Sequence, residues 1–272
     1  METLSTQGLA MPRLGLGTYR MTGNDCARAV EHALSLGYRH VDTAEMYGNE
    51  DGVGAGLAAS SVARDDIFLT TKVWHDHLTR DGIRGALEAS LEKLKTDYVD
   101  LYLVHWPAPD MDMGEVFETM AALKEEGLIK AMGVANFTVD LMKRAVEEIG
   151  APIACNQVEY HLKLDQSKLL GYLTTKGIPL VAYVPLGQGR LADEEGLVAI
   201  AEKHDASPAQ IALAWLMDQP GVAAIPKASR NETQQANLDA LSIRLDDEDR
   251  ALIAALPKDV RYVDPDFAPD WD

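Results

Sequence analysis

Short apolar runs alternating with longer amphipathic stretches, eight of them in 272 residues, predict a (β/α)8 TIM barrel with a short N-terminal hairpin and extra C-terminal helices. The strand candidates end near Gly17, Thr43, Lys72, His105, Asn136, Gln157, Tyr183 and Lys227. Several, such as LYLVH and IPLVAYV, are apolar at consecutive positions, as strands covered on both faces must be. The length is close to the roughly 250 residues typical of such a barrel.

Taken in order, the Gln7-Gly8 step ahead of Pro12 predicts a hairpin capping the barrel floor. The stretches DCARAVEHALSL, GIRGALEASLEKL, GEVFETMAALKEE, VDLMKRAVEEI and DQSKLLGYLTTK repeat apolar residues at three and four, the helical spacing. SPAQIALAWLMDQ and DDEDRALIAAL read as extra helices around the last units, the acidic run Asp246 to Asp249 being a helix start favoured by the macrodipole. No Gly/Ser-rich or Pro-rich linker interrupts the alternation, so residues 1–272 are expected to form a single domain.

The 47% apolar content supplies a core, and the formal net charge of -18 argues against nucleic acid or an anionic membrane as partner. The opening METLSTQGLAMPRLG lacks a cationic start followed by an apolar core, and no later run is long enough to span a membrane. A soluble cytoplasmic protein is expected. Cys26 and Cys155 match no metal-knuckle spacing and are expected to be buried, reduced thiols.

Three strand-end segments carry four reactive side chains: Asp42 and Tyr47 in HVDTAEMYGN, Lys72 in FLTTKVW, His105 in LYLVHWP. The C-terminal strand ends of a barrel share one mouth, so a carboxylate, a phenol, an ammonium and an imidazole are predicted to meet there. That set suits protonation of a carbonyl oxygen. A free phenol titrates near 10, and a neighbouring Lys72 ammonium, held by Asp42, is expected to lower Tyr47 toward neutrality. Tyr19, Trp74 and Trp106 are placed to wall the pocket, with His105 orienting the substrate oxygen.

Other motifs are declined. His75-Asp76-His77 lacks a third ligand at metal spacing, so no metal is expected. GNEDGVGAGLA lacks the offsets of a phosphate loop; its small residues are expected to let a helix pack closely on the barrel. IPKASRN is a better anion site, since Lys227 and Arg230 flank the start of a helix.

Together, GLGTYR, DTAEMYGNE, TKVW, DLYLVHWP, GVANF, NQVEY, AYVPLGQG and IPKAS fall in the order of the aldo-keto reductases, and the resemblance covers nearly the whole chain. The ending FAPDWD and the short loop after Trp106 look most like the bacterial 2,5-diketo-D-gluconate reductases, which also act as methylglyoxal reductases. The resemblance implies a monomeric barrel that binds NADPH across its mouth, with NADH as the alternative donor. Asp42, Tyr47, Lys72 and His105 match the family tetrad. Asn136 and Gln157 match the residues that hold the nicotinamide carboxamide, and Tyr183 the one that stacks on its ring. Gly17, Thr18, Pro185, Leu186 and Gly187 would follow the rest of the dinucleotide, with Ile225, Pro226, Lys227, Ala228, Ser229, Arg230 and Asn237 around its adenosine end. Departures cluster at the cofactor: Ala135 and Val184 replace Ser, Ala228 replaces a phosphate-binding Ser, Thr233 an Arg and Ala236 a Glu.

The expected reaction is hydride transfer to a small aldehyde, ketone or keto-sugar, with Tyr47 as general acid. Two alternatives stand beside it: a Schiff-base lyase or aldolase using Lys72, and a nucleotide-sensing module that binds without turnover.

Overall fold

The structure, a computed structural model, describes residues 1–191 and 194–272. The hairpin forms as expected: β1 (Thr3–Thr6) pairs antiparallel with β2 (Leu9–Pro12). Gln7 and Gly8 both take positive φ, 47° and 80°, which gives a two-residue turn the twist of its flanking strands. The Thr6 hydroxyl donates to the Ala154 carbonyl at 2.5 Å and Met11 is fully buried, so the hairpin closes the barrel floor.

Eight parallel strands follow: β3 (Leu16–Gly17), β4 (His40–Asp42), β5 (Phe68–Val73), β6 (Val99–Val104), β7 (Ile129–Ala135), β8 (Ile153–Glu159), β9 (Leu180–Tyr183) and β10 (Val222–Ala224). Each pairs with the next in sequence order. The circle closes through parallel bridges Leu14 to Ala224 and Gly17 to Lys227, with Gly15 N–H donating to the Ala224 carbonyl at 2.9 Å. Side chains alternate across each strand. Leu101 and Leu103 join Met11, Phe68, Ala131, Val181 and Ala223 in the barrel interior, whereas Tyr102 and Val104 pack outward under the helices. Cys155 lies in that interior and Cys26 on a helix; both are free and buried, and burial holds both thiols above their usual range.

The crossovers are α1 (Gly23–Leu36), α2 (Glu50–Ala59), α3 (Arg80–Leu94), α4 (Met113–Glu125), α5 (Val139–Lys143) and α6 (Ser167–Lys176). Then come α7 (Glu195–Lys203), α8 (Pro208–Asp218), α9 (Asn231–Asp239) and α10 (Asp247–Ala254). Three expectations are corrected. The VDLMKRAVEEI helix is α only to Lys143 and continues as a π turn over Arg144–Glu148. The SPAQIALAWLMDQ segment, α8, is not an extra helix but the crossover onto β10, with a capping box between Ser207 and Gln210. The added layer is α7 with α10, where Leu197, Ile200 and Ile253 pack on Ile211 of α8. Asp246 caps α10 as its acidic run implied, and Asp249 also reaches Lys203 and His204 of the α7 end, at 2.8 and 2.7 Å.

The third correction concerns GNEDGVGAGLA. Its glycines let α2 approach the neighbouring helices, not the strands: a Cβ on Gly54 would stand 2.3 Å from the Lys93 carbonyl oxygen, and on Gly56 2.6 Å from that of Ala27. Among the described residues no helix is long and apolar enough to cross a membrane.

Gly54→Ala is therefore expected to lower stability by about 1–3 kcal/mol through overpacking, despite the roughly 1 kcal/mol by which Ala favours a helix. Thermal unfolding should move down by about 2–4 °C per kcal/mol for a chain of this size, with turnover unchanged. An unaltered melting temperature would show that α2 and α3 can separate freely.

Candidate active site

The strand ends gather round one cavity of about 920 Å³ at the C-terminal mouth. Asp42 ends β4 and Lys72 lies in β5; His105 follows β6, Asn136 follows β7, and Gln157 and Tyr183 lie in β8 and at the end of β9. Tyr47 arrives on a short turn, Glu45–Tyr47, closed by a left-handed Gly48 at φ 62°. The turn is held from outside the expected set. The Glu45 carboxylate accepts from the Trp74 backbone N–H and meets His77 Nδ1 at 3.2 Å, so His77 braces this turn.

Lys72 is fully buried and its ammonium has three acceptors: Asp42 Oδ1 at 2.5 Å, the Thr43 carbonyl at 2.7 Å and Tyr47 Oη at 3.4 Å. Gln157 Nε2 donates to the second oxygen of Asp42 at 2.8 Å. Asp42 thus anchors the ammonium and is itself held from β8. Burial pulls the Lys72 pKa down, and the Asp42 carboxylate opposes it. Because Lys72 is enclosed behind Tyr47 and does not line the cavity, a carbonyl substrate has no route to its nitrogen. The Schiff-base alternative fails on that ground.

The expected lowering of the Tyr47 phenol is also overturned. Its pKa is pushed well above the usual value, first by burial, then by Asp42 and Tyr19. The Lys72 charge is largely neutralised by Asp42 at 2.5 Å, so at 3.4 Å from the phenol it does not offset desolvation. The phenol keeps its proton and faces the cavity as a donor. Beside it, at 5.6 Å between ring centroids, stands His105. Burial and the Lys72 charge hold the imidazole well below its ordinary pKa. Its Nδ1 is buried without a partner among the described residues.

Tyr19, Trp74 and Trp106 line the cavity, the Tyr19 ring 4.9 Å from that of Tyr47. The floor carries amides: Asn136 Nδ2 donates to the His105 carbonyl at 2.9 Å, and the Tyr183 hydroxyl to Asn136 Oδ1 at 2.8 Å. Gly17, Thr18, Pro185, Leu186, Ile225, Pro226 and Lys227 continue the groove along one side. Val184, at φ 51°, is strained for a β-branched residue and turns the chain at the end of β9 so that Pro185 and Leu186 border the groove. Of the remaining expected contacts, Gly187 and Ala228 are buried behind it, Ser229 and Arg230 are exposed at the start of α9, and Asn237 is buried in α9. Lys227 Nζ donates to Ser229 Oγ at 3.1 Å.

Sequence reasoning missed the far wall. The C-terminal tail builds it: Tyr262, Val263, Asp264, Pro265 and Phe267 line the cavity. The Phe267 ring packs 5.7 Å from Trp74 and 5.5 Å from Trp106. The aromatic ending FAPDWD was the available signal, but without periodicity it gives no direction in which to fold.

With this geometry in place, comparison with known proteins decides the lineage: residues 13–258 match the aldo/keto reductase family. The chain belongs to that family. It is 41% identical over 268 residues to the methylglyoxal reductase DkgB of Escherichia coli O157:H7, covering 97% of this chain and 100% of that protein. It is also 41% identical to the glyoxal reductase of Bacillus subtilis (strain 168), covering 93% and 92%. The crystal structure of a putative 2,5-diketo-D-gluconic acid reductase B superposes with a TM-score of 0.96 at 38% identity, over 100% of this chain and 98% of that one. The TIM barrel thus carries an NAD(P)H-dependent carbonyl oxidoreductase acting on small carbonyl compounds.

Stability should record the neutral His105. An unfolded histidine takes up a proton below about pH 6.5, whereas the buried one does not, so its contribution is complete above that pH and is lost as pH falls. His105→Asn is expected to lose about 2 kcal/mol less between pH 7 and pH 5 than the unaltered protein in urea unfolding. Equal losses would mean that His105 is protonated in the folded state.

Proposed function

We propose that this reductase uses NADPH in preference to NADH and reduces 2-oxoaldehydes of the methylglyoxal and glyoxal type, and keto-sugars such as 2,5-diketo-D-gluconate, with Tyr47 as general acid. The observation that carries the reading is one phenol, Tyr47, placed 3.4 Å from the Lys72 ammonium and 5.6 Å, ring to ring, from the His105 imidazole, on one cavity.

The residues present fit a nicotinamide dinucleotide. Asn136 and Gln157 offer amides on the cavity floor and Tyr183 a ring face. When bound, the cofactor supplies the hydride. The chain supplies the rest. His105 and Tyr47 receive the carbonyl oxygen; as negative charge grows there, the Tyr47 proton moves onto it. An alkoxide is far more basic than a phenolate, so the transfer is favourable even from a phenol whose pKa is raised. Lys72 then faces the phenolate that remains, and Asp42 and Thr43 keep the ammonium in place.

Preference for NADPH rests on Lys227 and Arg230, the cations next to the start of α9, where a 2'-phosphate gains charge-assisted bonds. Such bonds contribute about 1.5–3 kcal/mol, so Lys227→Ala or Arg230→Ala should each raise the KM for NADPH about tenfold or more while leaving NADH within twofold. Equal effects on both cofactors would remove these residues from phosphate recognition.

Oxidation of NADPH and of NADH, followed separately against methylglyoxal, glyoxal and 2,5-diketo-D-gluconate, tests the whole reading. Tyr47→Phe is expected to reduce turnover by about 100-fold to 10,000-fold. A variant keeping more than half the activity would exclude Tyr47 as the acid, and cofactor binding without turnover on any carbonyl would favour the sensing module.

A further inference from the structure

At the end of β8, next to Tyr183 in register, lies a carboxylate that the proposed chemistry does not use. Glu159 is fully buried. Its Oε1 accepts from the Tyr262 backbone N–H, its Oε2 from the Val263 backbone N–H, and His161 Nε2 stands at Oε1, each at 2.8 Å. The Lys163 backbone N–H donates to His161 Nδ1 at 3.2 Å, which assigns the ring proton to Nε2 and aims it at Glu159. Two of the three donors on this carboxylate thus belong to the C-terminal tail.

We propose that Glu159 is a positioning residue that sets the substrate range by seating the tail that forms the far wall of the pocket. The proposal deepens the carbonyl-reductase reading of the cavity and rests on it. Upstream, the tail is tied to the barrel by Val260 N–H to the Lys163 carbonyl at 2.9 Å and by Asp165 N–H to the Lys258 carbonyl at 3.0 Å. Downstream of Val263, the next described hydrogen bond from tail to barrel is that of Val139 N–H to the Asp272 carboxylate at 2.9 Å. Phe267 and Asp264, which line the cavity, fall between those points. Their place over Trp74 and Trp106 therefore depends on the upstream side on the two hydrogen bonds to Glu159, with the His161 ring 5.0 Å from that of Tyr262 and Arg190 4.6 Å over it. A carboxylate is required because it offers acceptors on both oxygens. Glutamine presents an NH2 where one of the N–H donors points, and a buried amide left facing a donor is costly.

The test measures kcat and KM for methylglyoxal and for the bulkier phenylglyoxal in the unaltered enzyme, Glu159→Gln, Phe267→Ala and the double variant, together with amide hydrogen exchange. Glu159→Gln is expected to raise the KM for phenylglyoxal about tenfold, to keep kcat for methylglyoxal within twofold, and to speed exchange at residues 264–272 at least tenfold with the barrel strands unchanged. The double variant should be no worse than Phe267→Ala alone, since both changes remove the same wall. Multiplying effects, equal losses on both substrates, or unchanged tail exchange would each overturn the proposal. Should Glu159→Gln not fold, Val263→Pro removes one of the same bonds from the tail side and must give the same pattern. Tail exchange needs no turnover, so it can fail or hold independently of the proposed reaction.

Discussion

A charge has been buried in a barrel whose floor is packed with apolar side chains. Removing an ammonium from water costs several kcal/mol even after relaxation, and Lys72 recovers that cost only because Asp42, the Thr43 carbonyl and Tyr47 all face it. Those acceptors come from β4 and the turn that follows it, and Gln157 ties the second oxygen of Asp42 to β8. The pair therefore fixes the relative height of strand ends that contribute to the cavity. Breaking such a buried pair by removing one partner is strongly destabilising, so the arrangement that tunes the site also constrains the fold around it.

The two ends of the barrel divide the work. At the floor, Met11 and the hairpin plug the interior and Arg13 donates to carbonyls of Val222, Met217 and Gln219, contacts that serve stability. At the mouth, side chains are held for chemistry at some expense: His105 has a nitrogen without a partner, Tyr47 a phenol raised by burial, and Val184 a backbone angle its side chain disfavours. Unsatisfied and strained groups of this kind collect where a ligand completes them.

The mouth itself has two halves with different construction. Strand ends carry Asp42, Lys72, His105 and the amides, with Tyr47 on the turn after β4, and the sheet's hydrogen bonding fixes the strand ends. The opposite wall is a tail with little regular structure, seated by Glu159 and by aromatic packing of Phe267 on Trp74, His75 and Trp106. Variation in such a tail can reshape the cavity without disturbing Tyr47 or the Lys72–Asp42 ion pair.

The sequence by itself determined the alternation of strands and helices, the order of the strand ends, and hence the company of Asp42, Tyr47, Lys72 and His105, because periodicity and strand termini are local properties of the chain. It also carried the hairpin turn and the start of α10, where neighbouring residues satisfy one another. Tertiary structure decided the direction of the Tyr47 shift, since that depends on burial and on how closely Asp42 neutralises Lys72. It likewise decided that Gly54 meets α3, that α8 and not α7 crosses to β10, and that the tail closes the pocket. Each of these is a contact between segments distant in the chain, where solvent exclusion and steric fit, not residue type, set the outcome.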